Sequence, residues 1–216
     1  MAHRTKTEPL VPLNKPIPPG RLTYEEYLDW LDSDTHAEWV DGEVVLMNPS
    51  NLKHADMSRF LIALLSFFVD AHQLGQLCHE SFPMKTGLDL PGRSPNIVFV
   101  AKENLHRLRQ APDFLDGPAD LVVEIISPES RTRDRKEEKY AEYERGGVRE
   151  YWLIDPERRR ADFDRLGDEG RFTPLPIDEA GVVRSSVLDG LWREVDWLWR
   201  EPKPLLRDVL RAWGLI

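Results

Sequence analysis

One cysteine, Cys78, is all that the sequence carries. An intramolecular disulfide and a cysteine-rich zinc site are therefore both excluded, and a reducing compartment, the cytoplasm, is the expected setting. Long apolar runs are missing as well. The longest, Phe60 to Val69, is interrupted by Ser66 and falls short of the roughly 20 residues that a bilayer-spanning helix needs, so no membrane partner is expected. The N-terminus lacks the apolar region of a signal peptide. Positive charge is also short: 29 Lys and Arg against 38 Asp and Glu leave a formal net charge of −9. That balance argues against nonspecific coating of nucleic acid, which works by Lys and Arg releasing counterions from phosphates, and leaves room for a local basic groove. There is no internal repeat, and 216 residues suit one domain of ordinary size rather than two.

What is present is organised around residues 120–155. Leu121 to Ile126 is an apolar run of strand length, rich in Val and Ile, interrupted only by Glu124 and stopped by Ser127 and Pro128. A charged amphipathic helix with Tyr140, Ala141 and Tyr143 follows, closed by Gly146 and Gly147, and a second strand runs from Tyr151 to Ile154. Strand, crossover helix and strand predict a parallel, right-handed unit. A glutamate inside such a strand must be paired, protonated, at an open edge or bound to a cation, because an unpaired buried charge costs several kcal/mol.

The rest of the chain supplies a frame for that unit. Residues 1–20, with Pro9, Pro12, Pro16, Pro18 and Pro19, read as an extended arm, and residues 21–216 as the domain. Thr23 and Glu26 form a capping box for a helix to about Leu31, with Leu22 placed to staple to Tyr27. Glu38 to Met47 reads as a hairpin turning at Asp41 and Gly42, ended by Asn48, Pro49 and Ser50. Met57, Phe60, Leu61, Leu64, Leu65 and Phe68 recur at helical spacing from His54 to about His72, with Gly75 as the expected stop. Strands are predicted at Leu77 to Met84, at Leu88 to Leu90 after a Thr86-Gly87 turn, and at Asn96 to Val100 after Pro95, the last preceding a basic helix. Ala161 to Leu166 and Phe172 to Ile177 predict a second hairpin, and Val182 to Leu188 a strand leading to Trp192, Trp197, Trp199 and Trp213, which read as packing. Asp155-Pro156 reads as a turn.

Built in the plain way, the sheet brings Asn96, Glu124 and Lys139 together. Oxygen ligands beside an amine are what divalent-metal phosphodiester hydrolysis requires. Two basic stretches, Lys102 to Arg109 and Arg131 to Lys139, could line a groove or form solvated helix faces.

Several blocks in this order resemble the Uma-type restriction endonuclease family, a branch of the PD-(D/E)xK nuclease superfamily. They are Glu38 with Asp41-Gly42-Glu43, Asn48-Pro49-Ser50 with His54, Pro95 to Val100, Leu121 to Pro128, Arg133-Asp134, Lys139-Tyr140, and Gly147 to Pro156. The likeness runs from about Leu22 to Trp199. It implies an α/β fold with a restriction-endonuclease-like core: a mixed central sheet flanked by helices, with an N-terminal hairpin and a C-terminal Trp-rich extension. It also implies DNA cleavage with Mg²⁺ or Mn²⁺ and a homodimer. By position, Glu124 and Asn96 would be metal ligands, Lys139 the catalytic lysine, Tyr140 a shaper of the site, and Glu38, with Glu43 as rival, a further acid. Arg131, Arg133 and Lys136 are the DNA contacts expected. His54 is read as a helix residue bonded to backbone more readily than as a catalytic group. The chain departs from the pattern at Asn96, where an aspartate is expected; the alternatives are an impaired endonuclease and an inactive nuclease-fold module that binds DNA or protein.

Overall fold

The structure, a computed structural model, describes residues 16–32, 34–47, 51–79, 82–127 and 133–216, without the side chains of residues 133–136. The first fifteen residues of the expected arm, together with Asn48-Pro49-Ser50 and Pro128, lie outside that set.

The capping box forms as predicted: ahead of α1 (Tyr24–Trp30), the Glu26 amide donates to the Thr23 hydroxyl at 3.2 Å and the Thr23 amide to the Glu26 carboxylate at 2.8 Å. β1 (Ala37–Val40) and β2 (Glu43–Leu46) meet at Asp41 and Gly42, whose φ values of 51° and 84° suit the tight turn that Asp-Gly favours. α2 (Leu52–His72) begins at Asn51, whose side-chain oxygen accepts from the His54 amide at 2.9 Å. It stops at Gln73, not at Gly75. Gln73 takes the left-handed conformation at φ 53° and its amide bonds back to Asp70, while Gly75 opens β3 (Gly75–His79). Glycine is needed there for close approach, since a Cβ would stand 2.1 Å from the Val100 carbonyl oxygen.

The strand expected from Leu77 to Met84 is two strands in different sheets, β3 and β4 (Met84–Lys85), with Pro83, which has no amide hydrogen to donate, just before the second. Leu88 to Leu90 is a turn rather than a strand: the Leu90 amide donates to the Gly87 carbonyl at 3.2 Å, and Leu88 is 95 % exposed. β5 (Gly92–Arg93) and β6 (Ile97–Ala101) follow. The basic helix after β6 is a 3₁₀ segment, Lys102–Arg107, before β7 (Leu108–Arg109) and β8 (Phe114–Asp116). β9 (Leu121–Ile125), α3 (Arg133–Gly146) and β10 (Glu150–Asp155) make the central unit, and β9 and β10 are parallel with Glu124 opposite Leu153. β11 (Arg160–Leu166) and β12 (Phe172–Pro174) form the second hairpin; β13 (Val182–Arg184), shorter than the expected strand, pairs with β14 (Trp192–Glu194), and α4 (Leu206–Ala212) lies near the C-terminus.

The central sheet has the order β12-β11-β10-β9-β6-β3, and a second sheet the order β2-β1-β5-β4-β8-β7. Alternation along the strands separates two cores. Ile97, Phe99, Val123, Ile125 and Trp152 pack on the α2 stripe of Met57, Leu61, Leu64 and Phe68. Val98, Val100, Val122 and Tyr151 face Tyr143 of α3 and Met84 and Leu115 of the second sheet. By the same alternation Glu124 lies on the α3 side. The tryptophans pack as expected: the ring centroids of Trp197 lie 5.6 Å from Trp192 and 6.5 Å from Trp213, and Trp213 meets Phe68 edge-on. Among the described residues no helix is long and apolar enough to cross a membrane.

Candidate active site

The glutamate of β9 is paired. Lys139 Nζ donates to Glu124 Oε1 at 2.8 Å, and the Tyr143 hydroxyl donates to the same oxygen at 2.8 Å. Lys139 and Tyr143 are four residues apart on α3, which stacks them on one helix face. The lysine bridges two sheets, since its Nζ is also 2.8 Å from Glu38 Oε1 on β1. Glu38 is completely buried, and its other oxygen accepts from Arg93 Nη1 at 3.0 Å. Arg93 then clasps Glu142 of α3 with Nε at 2.7 Å and Nη2 at 2.8 Å. Glu124, Lys139, Glu38, Arg93 and Glu142 thus alternate in sign along one network. Such a network survives burial only while each member keeps its partners.

Protonation follows from that wiring. Burial opposes the Lys139 ammonium, but the Glu124 and Glu38 carboxylates outweigh it and hold its pKa above the ordinary lysine value. Burial, aided by the Glu124 and Glu38 charges, pushes the Tyr143 hydroxyl well above its usual range. Both groups therefore act as donors at neutral pH. With Oε1 of Glu124 held by two donors, Oε2 makes no hydrogen bond among the described residues and remains the available oxygen of this carboxylate.

Asn96 flanks this carboxylate from the next strand. The Ile125 amide donates to Asn96 Oδ1 at 2.7 Å, which fixes the orientation of the side-chain amide. Asn96 Nδ2 then faces His54 Nε2 at 3.2 Å, so that nitrogen must accept and the neutral imidazole carries its proton on Nδ1. His54 Nδ1 is buried without a hydrogen-bond partner. Burial lowers the His54 pKa below its ordinary value, against the opposing pull of the Glu124 charge. His54 is thus linked to Asn96, a contact beyond the backbone role read from the sequence.

Of the two rival acids, Glu38 joins the network and Glu43 is exposed on β2. Tyr140 stands aside from Glu124: its ring meets Phe172 at 5.1 Å and Tyr151 at 6.0 Å, both edge-on, and burial followed by the Asp164 charge pushes its hydroxyl up to about 12. Tyr143, Arg93 and Glu142 were missed by the sequence reading. The first was legible as the i+4 neighbour of Lys139; the pairing of Arg93 with Glu142 joins elements 49 residues apart and left no local signal. Arg131 and the side chains of Arg133 and Lys136 lie outside the described residues. In the other basic stretch, Arg107 donates to the Pro118 carbonyl at 2.8 Å and Arg109 pairs with Asp116 at 2.8 Å.

Among the described residues no group of three or more His, Cys, Asp and Glu is arranged to hold a metal ion. The donors at hand are Glu124 Oε2 and Asn96 Oδ1. Mg²⁺ keeps several waters and takes one or two carboxylates plus substrate phosphates, so this pair fits a weakly held cation completed by water and substrate.

A family model named Uma2 and described as "Putative restriction endonuclease" matches residues 24–196. Among solved structures, the chain is similar to a protein from Anabaena variabilis ATCC 29413 described as a "putative nuclease belonging to DUF820". The TM-score is 0.65 at 16 % identity, covering 82 % of this chain and 97 % of that one. At that identity the likeness concerns the fold, a mixed α/β architecture. No curated protein matches the chain.

Proposed function

The chain belongs to the Uma2 "putative restriction endonuclease" family, and from that premise we propose that it is a divalent-metal-dependent DNA endonuclease held back at Asn96. The observation that carries this reading is the protonated Lys139 bridging Glu124 and Glu38 beside the strand of Asn96, an arrangement of cation and available carboxylate oxygen at the end of a sheet.

Glu124 Oε2 and Asn96 Oδ1 would hold Mg²⁺ or Mn²⁺. Bound there, the ion supplies Lewis acidity at the scissile phosphate and lowers the pKa of a water. Lys139 offsets negative charge developing on the phosphate, which it can do because its proton is held by two carboxylates. Tyr143 and Lys139 together occupy Oε1 of Glu124 and so leave Oε2 for the site. Glu38 positions Lys139, and Arg93 positions Glu38. Tyr140 shapes the wall beside Leu153. Arg131, Arg133 and Lys136 contact DNA phosphates, and a cytoplasmic homodimer presents two such sites to a duplex.

Asn96 is where the reading weakens the enzyme. Its oxygen brings no charge to offset dehydration of the ion, and its nitrogen occupies the position in which an aspartate would present a second oxygen toward His54. That placement also favours a second reading, a noncatalytic module that binds DNA or protein. Nicking of supercoiled plasmid in Mn²⁺ separates the two. The endonuclease reading expects slow nicking that EDTA and Glu124→Gln both abolish. Absence of nicking, with duplex binding that is insensitive to EDTA, sensitive to salt and weakened by Arg133→Ala or Lys136→Ala, establishes the second.

A further inference from the structure

A trough runs along the α3 side of the central sheet, one strand away from Glu124. Its larger part, a cavity of about 370 Å³, lies over β10, β11 and β12 with Tyr140 of α3 in its wall, and its smaller part, about 150 Å³, reaches Ile126 and Arg158. Leu153, Arg160 and Asp162 line both parts and make them continuous. Register fixes where the trough stands relative to the candidate active site. Leu153 is the partner of Glu124 in the parallel pairing of β9 and β10, so the two side chains leave the same face of adjacent strands. Asp162 is opposite Leu153 and Asp164 opposite Tyr151 in the pairing of β10 and β11, which brings both carboxylates to that face as well.

The lining calls for a ligand of mixed character. The Tyr151 hydroxyl, in a residue 1 % exposed, lines the cavity and is buried without a hydrogen-bond partner. Burial first, then the Glu124 and Asp164 charges, push its pKa well above the usual range, so it is an unused donor at neutral pH. Charges of both signs surround it. Arg158 and Arg160 stand on the solvent side, with side chains 68 % and 73 % exposed, while Asp162 and Asp164 follow along β11. Arg160 is tied to Asp162 at 3.1 Å, an exposed pair that holds a guanidinium weakly. A simple cation would meet Arg160, and a simple anion would meet the two aspartates. A ligand that is anionic at one end and carries N–H donors on a flat apolar body at the other meets neither repulsion, and a nucleotide has that constitution.

We propose that the trough takes one unpaired nucleotide of the DNA substrate, its base in the larger cavity and its phosphate against Arg160 and Arg158. The choice of ligand rests on the endonuclease reading, and the register of Leu153 with Glu124 sets this nucleotide beside the candidate metal ligand. Leu153, Pro174 and the Tyr140 ring cover the faces of the base. The Tyr151 hydroxyl donates to a ring nitrogen or carbonyl of the base, and Asp164 accepts from an exocyclic amino group. Thymine, which has no amino group, would set carbonyl oxygens against the carboxylates, so adenine and cytosine are the preferred bases. A base stacked and paired in a duplex cannot enter a recess behind these walls, which is why the nucleotide must be unpaired. The volume, at the small end of ligand pockets, suits a single base with its sugar.

NMR titration of the full chain in EDTA with dAMP, dCMP, dTMP, deoxycytidine and deoxyribose 5-phosphate tests the assignment. The expected result is saturable binding of dAMP or dCMP, about tenfold tighter than dTMP and deoxyribose 5-phosphate, as one hydrogen bond to a charged group provides. Asp164→Asn should erase the preference over dTMP, a change that a merely structural role would not produce, and Arg160→Ala should bring dCMP down to the level of deoxycytidine. Tyr151→Phe removes a hydroxyl without a protein partner, so it should fold as the wild type does and bind severalfold more weakly. Failure of every nucleotide to bind, deoxyribose 5-phosphate binding as well as dAMP, or a preference unchanged in folded Asp164→Asn and an affinity unchanged in Tyr151→Phe would overturn the proposal. Because EDTA removes the metal and no cleavage is read, these results are separable from the endonuclease reading: a chain that nicks plasmid and binds no nucleotide keeps that reading and loses this site.

Discussion

Replacing Lys139 by methionine keeps the length and apolar stem of the side chain and deletes one charge from the centre of the network. Lys139 is 8 % exposed, so its ammonium exchanges little with water, and it touches carboxylates on both sides at 2.8 Å. After the change Glu38, fully buried, keeps Arg93, and Glu124 keeps the Tyr143 hydroxyl. Removing one partner of a buried ion pair costs about 3–5 kcal/mol. The retained partners hold the expected loss near the middle of that range, about 4 kcal/mol. At about 2–4 °C per kcal/mol for a chain of this size, the melting temperature falls by about 8–16 °C. Urea denaturation at neutral pH, fitted with an unchanged m-value, measures the free energy directly. Adding Glu124→Gln to Lys139→Met should recover part of the loss, because the unpaired charge goes with it. A loss under about 1 kcal/mol, the worth of a surface pair, would refute the reasoning by showing that Lys139 is solvated rather than bridging.

Two further predictions concern His54 and Glu150. The pKa of His54 is depressed in the folded state, so the unfolded chain binds more protons as pH falls below the ordinary histidine value. Stability contributed by the neutral ring is therefore complete above about pH 6.5 and is lost as pH falls from there through the folded pKa. Asn96→Asp replaces the donor at Nε2 with an acceptor and should raise the His54 pKa, read from its ring-proton shifts by NMR titration; a lower pKa would contradict the assigned tautomer. Glu150 is fully buried and accepts from the Ser186 amide and hydroxyl, both at 2.6 Å, from the Ser185 hydroxyl at 3.1 Å and from Trp152 Nε1 at 2.7 Å. Glu150→Gln puts an amide NH₂ against some of these donors and should cost about 2–4 kcal/mol in chemical denaturation, as expected when charge-assisted bonds are lost.

The central unit was legible because its signals are local. The apolar run around Glu124, the glycines closing α3 and the strand at Tyr151 each follow from periodicity and breakers, and Lys139 reaches Glu124 over a short connection. The Thr23 box and the Asp41-Gly42 turn were legible for the same reason. What escaped depends on contacts between distant segments. Gln73 stops α2 by adopting a conformation that sequence assigns to glycine first, and Gly75 is required instead by the neighbouring strand's carbonyl, against which no Cβ fits. Tyr140 and Tyr143 differ by three residues on one helix, and only the Lys139 to Tyr143 spacing of four, read with the helix phase, selects the hydroxyl that reaches Glu124. Arg193 shows the limit most clearly. It is 3 % exposed, stacked 3.7 Å from the Trp152 ring centroid, and burial pushes its pKa down to about 9, yet nothing in its own segment marks it as buried.

The claim that this is a nuclease site weakened at one position is tested most directly by plasmid nicking with Asn96→Asp. The substitution preserves the bond from the Ile125 amide, adds one negative charge beside Glu124 and turns an oxygen toward His54. In Mn²⁺ or Mg²⁺ the variant should nick supercoiled DNA at least tenfold faster than the wild type, corresponding to about 1.4 kcal/mol of barrier, and EDTA should abolish the gain. A folded Asn96→Asp variant that nicks no faster than the wild type would contradict the account.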